Sequence, residues 1–431
     1  MTGVGGAYVA SAEGTEGAAV NSAAPAVRQP YSTDWFDYDL SLGLSAPGAF
    51  ASTDFDNRGD TGGPPHARAG DFLELNVGAT LQFGPLGVAA TGDLQQFTLR
   101  TAAPGTPGLA LQLGRWKALG AYGIAGGQVA FGGGLRVVTM QIVEDGAPTL
   151  LTMTGVGPEV GALWMPTGSQ WRVGAAVRAP VSGGIFGSER VTVEDNVRRA
   201  GSFILPSRIV MPWEVEAGVA YQLGPRPLNP GWQNPHDQER RLRSRLEAAR
   251  AERALDRERR VAEAPPEKRE TLRAQLDAQE EFVRGIEDQR YAADLAALGV
   301  GRKARYQNWP REKILLLASV LVSGPSETAI SLEGFLDQRA EAVGGHVTLT
   351  PRLGLEGEPL RDRILLRTGT YLEPSRYESG VPRQHFTFGG DVRLFPLDFW
   401  RLLPDTDWKL AFFVDLAPRY ANGGLALGTW H

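Results

Sequence analysis

Residues 72–83, Phe-Leu-Glu-Leu-Asn-Val-Gly-Ala-Thr-Leu-Gln-Phe, set the pattern for much of the chain. Leu73, Leu75, Val77, Ala79, Leu81 and Phe83 are apolar, while Glu74, Asn76, Gly78, Thr80 and Gln82 are polar or small. Successive side chains of a strand point to opposite faces, so this segment has one dry face and one wet face. The same alternation runs through 34–45, 128–141, 171–178, 213–223, 346–356 and 409–417. A poorer strand is expected at 88–100, a glycine-kinked one at 150–165, further strands at 313–323, 363–373 and 384–395, and one more within 182–211. The total is about fourteen strands of roughly ten to thirteen residues, enough to cross a bilayer when tilted.

Two stretches break the two-residue period. Over 107–124, Leu109, Leu113, Trp116 and Ile124 sit at roughly helical spacing, which predicts a short amphipathic helix. From Asp237 to Ala297 the chain becomes Arg, Glu, Ala, Leu and Gln, with Pro265-Pro266 in the middle. Leu272, Leu276, Val283, Ile286 and Ala293 keep a 3.5-residue period there, so two charged helices joined at the prolines are expected. That hairpin is either a solvated arm without chemistry or a docking element for a partner.

Composition narrows the choice. The chain has 431 residues, 54 of them Gly, no Cys and a net charge of −5. No apolar run approaches the roughly 20 residues of a membrane-spanning helix. A membrane barrel needs only every second residue to be apolar, so it stays open. The absence of Cys fits an oxidising envelope compartment. Mild acidity offers no footprint for nucleic acid. The first residues, Met-Thr-Gly-Val-Gly-Gly, have no basic or apolar signal region. The barrel reading then expects that a signal peptide has been removed.

An antiparallel sheet with one wet face also suits a large soluble sandwich or propeller. Strand length, aromatics near the ends of apolar faces (Phe83, Trp164, Trp171, Trp213, Tyr221, Phe386) and the mixed polar face favour a transmembrane antiparallel β-barrel of the outer membrane. No regular repeat supports a propeller. An even strand number puts both termini in the periplasm and places the hairpin between the eighth and ninth strands on that side. Residues 46–70 and the 107–124 helix fall on the outer side. Residues 1–32, small and nearly uncharged, are either a flexible tail or a compact plug. The expected organisation is 1–32 as plug, 33–228 as the first half of the barrel, 229–312 as periplasmic hairpin and 313–431 as the second half.

Three stretches resemble the FadL-type long-chain fatty acid outer-membrane transporters. Gly3 to Ala26, with Gly5-Gly6-Ala7 and Asn21-Ser22-Ala23-Ala24-Pro25-Ala26, is similar to that family's plug, whose Asn-Pro-Ala motif is here interrupted between Asn21 and Pro25-Ala26. Leu205 to Tyr221, with Pro212, Gly218 and Tyr221, resembles a Pro-then-Gly-x-x-Tyr strand. Leu366-Arg367-Thr368-Gly369-Thr370-Tyr371 resembles a Leu-Arg-x-Gly-x-Tyr strand near the C-terminus. The resemblance implies a fourteen-stranded barrel, an N-terminal plug, passage of hydrophobic molecules and a lipid-binding groove at the outer helix. Leu109, Leu113 and Trp116 are then the groove candidates. The hairpin departs from the family pattern and suggests a periplasmic or other envelope protein partner held through 237–297.

Catalytic chemistry is not in view. His66, His236, His346, His385 and His431 are not spaced as metal ligands, and no Gly-x-Ser-x-Gly elbow occurs. Gly132-Gly133-Gly134 reads as a kink within a strand. Glu214 and Glu216 are expected to face the lumen and pair with Arg172, Arg178 or Arg352, because charges shielded from bulk water need partners. The expectation is a protein without metal or cofactor that is not an enzyme. It would contact outer-membrane lipid and hydrophobic small molecules, and no nucleic acid.

Overall fold

A computed structural model describes residues 2–28, 32–47, 54, 57–58, 67–101, 108–144, 149–186, 191–194, 197–200, 203–206, 208–310, 312–326, 329–331, 334–335, 338, 340–378, 380–396 and 406–430. Most of 46–66, and with it His66, lies outside the described residues, as does His431.

The alternating segments pair into one antiparallel barrel of fourteen strands. They are β1 (Phe36–Ser45), β2 (Ala67–Phe83), β3 (Leu86–Thr101), β4 (Leu109–Ile124), β5 (Val129–Glu144), β6 (Thr149–Trp164), β7 (Trp171–Arg178 continuing as Val181–Phe186) and β8 (Arg208–Met211 continuing as Glu214–Leu223). After the hairpin come β9 (Ile314–Ser323), β10 (Thr348–Leu360), β11 (Ile364–Glu373), β12 (Arg383–Pro396), β13 (Asp407–Ala417) and β14 (Tyr420–Thr429). Pairing of Ser41–Ser45 with Gly424–Gly428 joins the first strand to the last and closes the sheet. Closure removes the exposed edges that an open sheet would leave.

The helix expected over 107–124 is instead strand β4, paired along its length with β3 and β5. Its sequence mixes both periods, since Leu109, Leu111, Leu113, Arg115, Lys117 and Leu119 all lie on one strand face. That inward face is itself part apolar and part charged, so polarity does not alternate cleanly. Among the described residues of 182–211 the separate barrel strand expected there is also absent. Val181–Phe186 prolongs β7 past Pro180, and Arg208–Met211 leads into β8 past Pro212. Proline lacks the N–H a ladder needs, which accounts for both breaks. A small three-stranded sheet, Val191–Glu194, Val197–Ala200 and Phe203–Ile204, lies between the two strands in sequence. The glycine run 132–134 causes no break: β5 pairs through it without a register shift.

Tight turns at 84–85, 125–128 and 361–363 mark one end of the barrel, and the connections 46–66, 187–207 and 324–347 mark the other. The hairpin connects β8 to β9 at the tight-turn end.

The chain divides into two compact units: Met1–Arg28 with 36–231 and 310–431, and Gln29–Trp35 with Trp232–Trp309. The second unit is the charged hairpin. Its helices are α2 (Pro235–Glu263) and α3 (Arg269–Gln307), separated at Ala264-Pro265; a short five-residue helix near the N-terminus, Gly14–Ala18, is α1. Asn234 caps α2 by accepting a hydrogen bond from the His236 N–H at 3.0 Å. A ladder of ion pairs crosses between the helices: Arg250 to Glu287 at 3.1 Å, Arg253 to Glu280 at 3.2 Å, Arg257 to Asp277 at 3.1 Å. Ser32 to Trp35 folds on the same unit, where Trp232 donates to the Ser32 carbonyl (2.9 Å), Arg302 to that of Thr33 (2.7 Å), and Trp35 stacks on His236.

Candidate functional site in the barrel lumen

The two faces of the wall meet different surroundings. Outward positions carry large apolar side chains that are more than half exposed, among them Leu44, Phe131, Val160, Leu349, Leu353, Phe388 and Leu425. An uninterrupted apolar belt of this kind is not tolerated in water. At the tight-turn end it is edged by Phe36, Tyr122, Phe131, Trp164, Trp171 and Tyr221, with Trp164 and Trp171 edge to face at 4.7 Å. Aromatic rings with one polar tip settle at the headgroup level of a bilayer. Inward positions carry the charges. This is a transmembrane β-barrel of the outer-membrane type.

The barrel lumen is filled from the tight-turn end by residues 2–28. Val4, Ala7, Tyr8, Ala10, Ala23 and Ala24 are buried together with Leu163, Leu315 and Leu317 of the wall. The approach is so close that a Cβ on Gly132 would overlap the Ser22 carbonyl, and one on Gly174 would overlap that of Val9. Those two glycines are where backbone meets backbone, which is the reason for Gly132 that a kink does not supply.

Asn21 is fully buried and ties the segment to itself and to the wall. Its Nδ2 donates to the carbonyls of Val9 (3.0 Å) and Ala162 (3.2 Å), and its Oδ1 accepts from the Ala23 N–H (3.0 Å). Pro25 offers its carbonyl to Gln82 Nε2 at 2.8 Å, and Ala26 is buried in the short 3-10 turn Ala24–Ala26. Ion pairs complete the attachment: Glu13 with Arg172 at 3.2 Å and Glu16 with Lys409 at 2.8 Å.

Next to this segment lies a cavity of about 510 Å³ lined by Glu74, Asp93, Arg115, Lys117, Arg136 and Arg352 among others. Its charges are paired across strands. Arg178 reaches Glu214 at 3.3 Å and Glu216 at 3.5 Å, and Arg352 reaches Glu216 at 2.9 Å. Arg172, the third partner expected for these glutamates, turns to Glu13 instead. Lys117 and Arg136 share Glu159, at 3.0 and 3.7 Å, and Arg367 bridges Glu356 (2.9 Å) and Asp391 (2.7 Å). Networks of this kind let a lumen hold many charges with a small net field.

Towards the long-loop end the inward face changes character. Phe97, Leu99, Leu109, Leu111, Ile142, Leu151 and Met153 form one buried apolar cluster, joined by Leu205 and Phe335 from the connections. Phe72 stacks on Phe97 with ring centres 5.5 Å apart.

Leu109 is part of this cluster. Leu113 is half-buried on the same inward face, whereas Trp116 is 45 % exposed on the outer face, its ring lying over Gly92. The three groove candidates therefore do not converge, because strand alternation separates an even-numbered position from two odd ones. The other cluster members were hidden in the sequence because each strand face they share passes from apolar to small, polar or charged residues within one strand.

No family model and no curated protein matches the chain. Solved structures do. A Pseudomonas aeruginosa FadL homologue is 10 % identical over 99 % of this chain and 96 % of its own, with a TM-score of 0.49. The Pseudomonas putida toluene transporter TodX is 11 % identical over 98 % and 95 %, with a TM-score of 0.47. The CymD monoaromatic hydrocarbon channel is 9 % identical over 99 % and 94 %, also with a TM-score of 0.47. The barrel itself is established by its own strand pairing.

Proposed function

We propose that the barrel is an outer-membrane transporter that passes or binds hydrophobic small molecules such as lipids or fatty acids, with residues 2–28 as its plug and both termini and the hairpin in the periplasm. One observation carries this reading. The inward face turns apolar at the long-loop end, where Phe97, Leu99, Leu109, Leu111 and Ile142 are buried together. A water-filled pore gains nothing from such a layer, whereas a greasy ligand is desolvated there. The test uses the protein in lipid vesicles with a fluorescent fatty acid. Leu111→Glu should abolish binding, and deletion of residues 1–26 should change flux across the bilayer. Binding and flux unaltered by both changes would overturn the reading.

A second reading rests on the hairpin. Phe282, Ile286 and Val300 of α3 are 71 %, 52 % and 68 % exposed, on a face that also carries Gln289, Ala293 and Ala296 and no charge. In so charged a segment an uncharged stripe at heptad spacing suits a helix of a periplasmic protein. The intact protein should capture such a partner from envelope extract, and Phe282→Glu with Ile286→Glu should release it. Retention by the double variant would reject this docking face.

A further inference from the structure

His385 occupies a place that neither the transport reading nor the plug uses. It lies on β12, is 1 % exposed and stacks on Tyr371 of β11 with ring centres 4.2 Å apart, while Tyr420 of β14 meets it edge-on at 5.0 Å. Each ring nitrogen faces a carboxylate: Nδ1 is 2.9 Å from Asp415 Oδ1 on β13, and Nε2 is 2.9 Å from Glu373 Oε2 on β11. Arg383 completes the group, with its Nε and Nη2 at 2.8 and 2.6 Å from that same Glu373 oxygen. The other Asp415 oxygen accepts from the Tyr371 hydroxyl at 2.8 Å.

Counting protons decides the state of the ring. A neutral imidazole has one N–H and one lone pair, so one nitrogen would point a lone pair at a carboxylate; only the imidazolium donates at both. Glu373 Oε2 already accepts from a guanidinium, which leaves no room for a proton of its own. Counting charges agrees. With Asp415 ionised, Arg383 and a protonated His385 balance Glu373 and Asp415, whereas a neutral ring beside that carboxylate leaves an excess negative charge in a largely buried site. Tyr371 and Tyr420 add no charge at neutral pH.

The same group holds the long-loop end together. Arg383 Nη1 donates to the Asp54 carbonyl at 2.8 Å, and Asn57 Nδ2 donates to the Glu373 carbonyl at 3.1 Å. Ser375 Oγ donates to the Asn57 carbonyl at 2.7 Å. Arg58 then makes a two-pronged pair with Glu341, at 2.9 and 2.7 Å, which brings in the 324–347 connection.

We propose that His385 is held as a charged imidazolium at neutral pH, clamped between Glu373 and Asp415, and that this buried cation fastens the first outer connection, through Asp54, Asn57 and Arg58, to the wall of β11–β14. Its removal releases Glu373 and Arg383 from their fixed positions and loosens the mouth of the barrel.

Two measurements test this. In a version whose His66, His236, His346 and His431 are replaced by Gln, nitrogen NMR of the remaining histidine in detergent micelles should show a proton on both ring nitrogens at pH 7.5. One unprotonated ring nitrogen, with the extra proton on Asp415, would overturn the charge assignment. In the full chain with native histidines, trypsin cleavage after Arg58 should be about tenfold faster in His385→Gln than in the parent, the lower part of what one unsatisfied buried group costs. The parent should approach the variant's rate at alkaline pH, while the variant's rate should not show this rise. Equal cleavage of parent and variant throughout would overturn the fastening role. Heat-modifiable migration on a gel, kept in both, shows that the barrel has closed.

Discussion

At the residue scale, two residues govern how the N-terminal segment sits. Gly132 has no space for a β-carbon next to the Ser22 carbonyl. Gly132→Val should push the segment off the wall, and single-channel recordings should show raised conductance while the barrel still closes. Asn21 makes three hydrogen bonds at zero exposure. Asn21→Ala leaves the carbonyls of Val9 and Ala162 and the N–H of Ala23 without that partner, at a cost of about 1–3 kcal/mol for each left unsatisfied. The expected outcome is faster cleavage of the N-terminal segment by added protease, with an unchanged far-ultraviolet spectrum of the barrel. Asn21, Pro25 and Ala26 stood out in the sequence as a motif. Gly132 and Gly174 did not, because a glycine that admits a distant carbonyl looks the same as one that bends a strand. His385 was equally illegible: its partners Glu373 and Asp415 are 12 and 30 residues away, and only strand register brings them together.

At the element scale, the clean period of two was enough for strands whose inward face is polar or small throughout, such as Glu214–Leu223. It failed for β4, whose inward face passes from Leu109 and Leu111 to Arg115 and Lys117 within one strand. The hairpin was readable for a different reason, a change of composition with a proline pair in its middle, although α3 runs on to Gln307. Its 3.5-residue series does not form one seam. Leu276 is buried whereas Ile286 is 52 % exposed. Hydrogen bonds from Arg253 hold the carboxyls of Glu280 and Glu287 below the ordinary carboxylate range, with Arg284 and Arg250 adding to each in turn. A carboxyl depressed in the folded state adds stability above its unfolded value, and that contribution is lost as pH falls through the folded value. The hairpin should therefore keep its helicity down to about pH 4 and loosen below it. Hydrogen exchange of the α2 and α3 amides in the intact protein checks this, and amides equally protected at pH 3 and pH 7 would contradict it. Arg253→Ala should remove most of the pH dependence, and high salt should reduce it.

At the scale of the whole molecule, strand parity was legible while the strand list was not. Reading 107–124 as a helix drops one strand, and reading 182–211 as holding a separate strand adds one. The hairpin thus falls between the eighth and ninth strands either way. What no sequence count supplies is the solvent on each side of the wall, and exposure alone does not supply it either. Val160 of β6 is 56 % exposed and Phe282 of α3 is 71 % exposed, so exposure does not tell a wall position from one on the hairpin. The same change separates them. Arginine on the lipid face of a barrel costs about 2–4 kcal/mol near the bilayer midplane and about 0–1 kcal/mol at the interface. A surface substitution in water stays within about 0.5 kcal/mol. Val160→Arg should therefore lower the unfolding free energy measured by denaturant titration in phospholipid vesicles. Phe282→Arg should leave it unchanged in the same vesicles. Tolerance of arginine at position 160 would mean that this face of the barrel meets water or protein rather than lipid. A soluble protein would then have to cover the whole apolar belt, from Leu44 on β1 to Leu425 on β14, with something other than a membrane.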